Sequence, residues 1–156
     1  MKKTNTEYEV ILCPKVKQLL EKYVKEFDFL TEAGGILIGK TIGSLIVVED
    51  LTEPYKKDRC EKFAFIRGTQ GHQEYMDKVW NESNHSLTYL GEWHTHNQTS
   101  ITASEIDYKN WSRILKRNHN TDAFVFLILG RGQIAVWVGA YGIISQSEVT
   151  GLDVYC

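Results

Sequence analysis

Residues 87–107 read Leu-Thr-Tyr-Leu-Gly-Glu-Trp-His-Thr-His-Asn-Gln-Thr-Ser-Ile-Thr-Ala-Ser-Glu-Ile-Asp. Leu87 to Trp93 has strand character, residues 97–101 form a polar loop, and a helix follows from about Ala103 to about Arg117. Thr102-Ala103-Ser104-Glu105 is a Ser/Thr-x-x-Glu start signal, which opens the helix and folds the chain back toward the strand end. Ile106, Trp111, Ile114 and Leu115 make the buried stripe of that helix, with Asp107 on its margin. The strand delivers His94 and His96, two residues apart and therefore on one face. Asp107 can add an oxygen donor. Two nitrogens and one oxygen leave a position open for water on a tetrahedral zinc ion, and that openness marks a catalytic rather than a structural site.

Working outward, Tyr8 to Leu12 is a short strand ending before Cys13-Pro14, where proline suits a helix start. Val16, Leu19, Leu20, Tyr23, Val24 and Phe27 then recur at helical spacing among charged residues, as in an amphipathic helix covering a sheet. Thr31 to Lys40 is an apolar strand set among glycines, with Glu32 at its entrance, and Gly43-Ser44 turns it into a partner strand at Leu45 to Glu49. Asp50 to Glu61, charged and holding Pro54, reads as an exposed loop of the kind that touches substrate. Phe63 to Ile66 is a strand candidate. The next helix carries His72, Tyr75, Met76, Val79 and Trp80 on one face, with His72 read as a surface or helix-edge residue. Phe124 to Leu129 is almost continuously apolar, as in a central strand covered on both sides. Ile134 to Val138 and Tyr141 to Ile144, joined around Gly139, close the sheet. The expected fold is a single α/β domain over residues 1–156, a mixed β-sheet packed between helices.

At 156 residues the chain suits one well-buried core. A formal net charge of -2 carries no basic excess, so neither nucleic acid nor an anionic membrane is an implied partner. The longest apolar run, Ala123 to Leu129, is too short to span a bilayer as a helix. Cys13, Cys60 and Cys156 are odd in number and widely spaced, which reads as reduced thiols in a cytoplasmic protein.

Hydrolysis also needs a carboxylate that takes a proton from water and passes it to the leaving amine. Glu32, Glu92 and Glu105 are the candidates. Glu105 lies about 200° around the helix from Asp107 and should point away while its side chain serves the cap. Glu92 shares the face of His94 and can be the base or a supporting partner. Residue spacing leaves Glu32 and Glu92 both open.

Glu32 followed by Ala-Gly-Gly-Ile-Leu-Ile-Gly, then His94-Thr95-His96, Ser104 and Asp107, resembles the JAMM (JAB/MPN) metalloprotease motif. The resemblance extends over most of the chain and is strongest to the small prokaryotic members. It implies a JAB/MPN, cytidine-deaminase-like fold, with His94, His96 and Asp107 as Zn2+ ligands, Glu32 as general base and Ser104 as oxyanion donor. Asn97 departs from the proline usual after the second histidine. Glu92, Asn97 and Arg67 are the candidate substrate-binding residues. The resemblance further implies an isopeptidase cutting after the C-terminal glycine of a ubiquitin-like protein, to process precursors or remove conjugates. Similar proteins are encoded beside activating- and conjugating-enzyme-like partners in anti-phage operons. Two other readings compete with it: a non-catalytic binding module of the same fold, and a zinc amidohydrolase acting on a small molecule. A nucleobase deaminase is disfavoured, because no His-x-Glu is paired with Pro-Cys-x-x-Cys.

Overall fold

A computed structural model describes residues 7–25, 32–55, 58–60, 65–68, 71–96, 101–117, 122–150 and 156. The elements run β1 (Glu9–Leu12), α1 (Pro14–Lys25), β2 (Gly34–Ile42), β3 (Leu45–Leu51), β4 (Arg59–Cys60), β5 (Phe65–Ile66) and α2 (His72–Glu82). They continue with β6 (Thr88–Thr95), α3 (Glu105–Arg117), β7 (Ala123–Gly130), β8 (Gln133–Ala140), β9 (Ile143–Ser147) and β10 (Val149–Thr150). Eight strands make one mixed sheet in the order β10-β1-β3-β2-β6-β7-β8-β9, and β4 pairs with β5 in a separate hairpin. Only Glu148 lies between β9 at one edge and β10 at the other, so the sheet curls until its edges nearly meet.

Helix α1 covers one face of this sheet. Pro14 occupies its first turn, where a missing N–H costs nothing, and the Lys17 N–H closes onto the Cys13 carbonyl. Val16 and Leu20 are fully buried against Leu12, Leu37, Val48, Trp93 and Leu127. Each contributes roughly 1.5–3 kcal/mol of apolar burial. Phe27 lies outside the described residues. On the opposite face, α3 lays Trp111 flat on Phe126, centroids 4.8 Å apart, and against Trp137. β7 is buried along its whole length, as its apolar run implied.

A bulge sets which residues of β6 face which side. Leu37 pairs with Gly91 but Ile38 with Tyr89, so Leu90 is the extra residue. Leu90 and Trp93 therefore both enter the core under α1, while Ile36, Ile38 and Tyr89 cluster on the other side with α2.

Several expectations are corrected. β3 continues through Leu51 and buries Asp50, and Arg59–Cys60 pair as a strand, so 50–61 is not simply an exposed loop. The β8–β9 turn is Tyr141-Gly142, both at positive φ, whereas Gly139 sits inside β8 where a Cβ would press on Leu115. Helix α3 starts at Glu105, so Ile106 joins the solvent face with Asn110 and Arg113 and is 69% exposed. Trp80 lies at the surface, stacked on the exposed His85 ring. His72 is fully buried, because Asp58 and Thr52 satisfy both ring nitrogens.

The cysteine reading changes most. β10 pairs beside β1, and Cys13 and Cys156 are disulfide-bonded with Cα atoms 5.5 Å apart, leaving Cys60 as the free, exposed thiol. The thiol argument for a cytoplasmic setting falls with it. No helix of the described residues is long and apolar enough to cross a membrane. Thiol titration of protein purified without reductant should detect Cys60 alone and all three cysteines after reduction. Cys13→Ser should lower unfolding stability by about 2–5 kcal/mol in chemical denaturation.

Candidate metal centre

Three elements converge at the carboxyl end of β6. β6 lies between β2 and β7, pairing His94 with Gly34 on one side and with Ile128 on the other. The His96 N–H continues the ladder onto the Leu129 carbonyl, so His94 is fixed from both sides and His96 from the β7 side. Helix α3 supplies the third group. Ser104 Oγ accepts the Asp107 N–H at 3.1 Å, and the Ser104 N–H donates to Asp107 Oδ2 at 2.8 Å. This reciprocal cap starts the helix and fixes the carboxylate in one step. It replaces the expected Thr102–Glu105 start, and Glu105 is left exposed with no part in that reciprocal pair.

The candidate donor atoms all lie within 4.8 Å of one another. His94 Nε2 and His96 Nε2 are 3.0 Å apart; Asp107 Oδ1 lies 3.2 Å from the first and Asp107 Oδ2 3.2 Å from the second. Donors at tetrahedral positions ~2.0 Å from a zinc ion would be ~3.3 Å apart, so the residues fit such an ion. Burial would raise the Asp107 carboxyl, but hydrogen bonds from His94, His96 and the Ser104 N–H hold it well below the usual carboxylate range. Histidine, histidine and aspartate therefore form a buried cluster compatible with a metal site.

Glu32 reaches the same face through β2. The Thr95 N–H donates to the Ala33 carbonyl and the Ala33 N–H to Thr95 Oγ1, both at 2.8 Å, so the ladder extends beyond Gly34. Continuing the Gly34–His94 register places Glu32 opposite His96, on the face shared by Gly34 and Ile36. Glu32 is 5% exposed. Gly34 and Gly35 make the approach possible: a Cβ at Gly35 would lie 2.0 Å from the Thr52 carbonyl oxygen, and one at Gly34 would strike the Phe65 ring.

Glu92 is committed elsewhere. Its Oε1 accepts Arg67 Nε–H at 2.9 Å and its Oε2 accepts the Tyr89 hydroxyl at 2.9 Å. Burial of Tyr89, reinforced by Glu92, holds that phenol well above its ordinary range. Arg67 is likewise engaged by Glu92 and ties the chain just after β5 to the β6 strand two residues before His94. Asn97 lies outside the described residues. Trp93 packs in the core and donates its indole N–H to the Thr52 carbonyl. Sequence reading missed Tyr89, Thr95 and Phe65. Tyr89 is out of phase with Glu92 unless the Leu90 bulge is known, and Phe65 meets Gly34 only through tertiary folding.

A family model described as prokaryotic homologs of the JAB domain matches residues 22–142. The chain belongs to the prokaryotic JAB family. A CD-NTase/cGAS isopeptidase of Escherichia coli (strain TW11681) is 32% identical over 130 residues, covering 83% of this JAB-family chain and 80% of that protein. A CD-NTase/cGAS isopeptidase of Vibrio cholerae is 28% identical over 137 residues, covering 88% of this chain and 85% of that one. The solution structure of a Desulfitobacterium hafniense protein superposes with a TM-score of 0.62 at 16% identity, over 92% of this chain and 93% of that one. That likeness shows the fold alone.

Metal analysis after exhaustive dialysis should find stoichiometric metal in the native chain and background levels in His94→Ala and Asp107→Ala. Ser104→Ala should keep its metal and lose about 1 kcal/mol of stability with the cap.

Proposed function

We propose that this JAB-family chain is a zinc-dependent isopeptidase that hydrolyses the amide bond after a C-terminal glycine. The observation that carries this reading is the His94–His96–Asp107 cluster, with the β2–β6 register, extended past Gly34, directing Glu32 toward the same face. Zinc held by those three residues would supply Lewis acidity and lower the pKa of a water molecule to ~7. Glu32 takes a proton from the attacking water as its oxygen bonds to the scissile carbonyl carbon, then gives that proton to the departing lysine nitrogen as the C–N bond breaks. Buried beside His96, this carboxylate is shielded from competing solvent. Of the other two candidates, Glu92 is occupied by Arg67 and Tyr89, and Glu105 is exposed on the first turn of α3.

The same reading gives Ser104 a second task. Its oxygen accepts the Asp107 N–H, which leaves its own proton free to stabilise the developing oxyanion. Phe65 against Gly34, the pairing partner of His94, narrows the approach and supports glycine at the cut.

Two conjugates are candidates. Relatives named CD-NTase/cGAS isopeptidase support a nucleotidyltransferase of that class as one half of the isopeptide. The motif resemblance supports a ubiquitin-like protein in the same position. A cytoplasmic setting, with activating- and conjugating-enzyme-like partners, belongs to the same proposal.

Both substrates can be tested as C-terminal fusions and as lysine conjugates. Cleavage should stop on chelation and return with zinc. Glu32→Ala should retain metal while kcat falls by about 10²–10⁴-fold. Bound zinc without turnover of either protein would move the chain to the binding-module reading, and turnover of small amides alone to the amidohydrolase reading. Full activity in Glu32→Ala, with loss in Glu92→Ala, would reassign the base.

A further inference from the structure

Away from the metal, a second buried polar chain runs through residues that the hydrolysis does not use. His72 Nε2 lies 2.6 Å from Asp58 Oδ2, and His72 Nδ1 lies 2.5 Å from Thr52 Oγ1. Neither the His72 nor the Asp58 side chain reaches solvent. Carboxylate, imidazole and hydroxyl in series is the pattern of an activated nucleophile. Here it cannot be one, because Thr52 is 3% exposed and its Oγ1 already accepts the Ile36 N–H.

What the two ends hold points to a different role. Asp58 accepts the Tyr55 and Gly68 N–H groups, both at 2.7 Å, and so draws together the two ends of the segment that carries the β4–β5 hairpin. Burial would raise its carboxyl, but the Tyr55, His72 and Gly68 hydrogen bonds hold it below the usual range and keep it an acceptor. The Tyr55 ring closes edge-on over the imidazole. At the other end Thr52 grips both strands of the site. Its N–H and hydroxyl bond the Ile36 backbone, opposite Glu92, and its carbonyl takes the indole N–H of Trp93, next to His94. The hairpin held at its base in this way lays Phe65 on Gly34, and the following Arg67 reaches Glu92.

We infer that Asp58, His72 and Thr52 form a positioning relay that anchors the β4–β5 hairpin over the metal face and so governs how the scissile segment is seated. The inference rests on the isopeptidase reading for its kinetic consequence and on the hydrogen-bond geometry alone for the anchor. His72 is a positioning residue: Thr52 and Asp58 engage both of its ring nitrogens, and it acts through them.

The test compares native chain, His72→Ala and Asp58→Asn, so that failure of one variant to fold leaves the other. The expected result is amide exchange at Tyr55 and Gly68 faster by at least about tenfold, with exchange in β7 and metal content unchanged. On the cleaved conjugate, KM should rise about tenfold while kcat stays within about twofold. His72→Gln, whose amide nitrogen can stand in for Nε2 toward Asp58, should recover most of the lost affinity. Unchanged exchange at Tyr55 and Gly68 in a folded variant overturns the anchor. A fall in kcat at constant KM, or in step with lost metal, overturns the seating role. If the native chain cleaves neither conjugate, the isopeptidase reading and the seating role fail, while the exchange result still supports or overturns the anchor.

Discussion

The antiparallel contact between β2 and β6 is the constraint on which the rest of the site depends. It brings the strand carrying Glu32 against the strand carrying His94 and His96, and it requires a backbone that other chain segments can touch. At Gly35 the Thr52 carbonyl occupies the place of a Cβ, and at Gly34 the Phe65 ring crowds it. Any larger residue at Gly35 would push Thr52 away and release both the Ile36 backbone and the Trp93 indole. The glycines therefore serve tight packing against the strand rather than flexibility of it.

Much of the candidate site was legible because its parts obey short-range rules. His94 and His96 share a face through the period-two pleat, and Asp107 returns because a helix begins within a few residues. The choice among three glutamates was not legible by spacing alone. Glu92 does share the face of His94, but its carboxylate is taken by Arg67 and Tyr89, from 25 residues and three residues away respectively. The helix start was read two residues early, since Thr102 and Glu105 offer the same pattern as the pair used, Ser104 and Asp107. With the later start, Ile106 faces solvent and not the core.

Other errors share a cause: pairing partners distant in the chain. His72 reads as a lone histidine at a helix edge because Asp58 and Thr52 lie in irregular stretches 14 and 20 residues away. Cys13 and Cys156 are 143 residues apart, and nothing local announces that β10 returns beside β1. The Tyr141-Gly142 turn was displaced to Gly139 because a glycine inside a strand, tolerated here for Leu115, reads like a break.

The distance along the chain between Ala33 and Thr95, 62 residues, has a consequence for how the molecule acquires its chemistry. Closing so long a loop costs on the order of 3–4 kcal/mol in chain entropy before any contact repays it. On the proposed mechanism, an unfolded chain presents the two neighbouring histidines with no carboxylate base beside them. On that reading, long-range strand pairing, and not the local His94-Thr95-His96 sequence, decides when hydrolytic capacity appears.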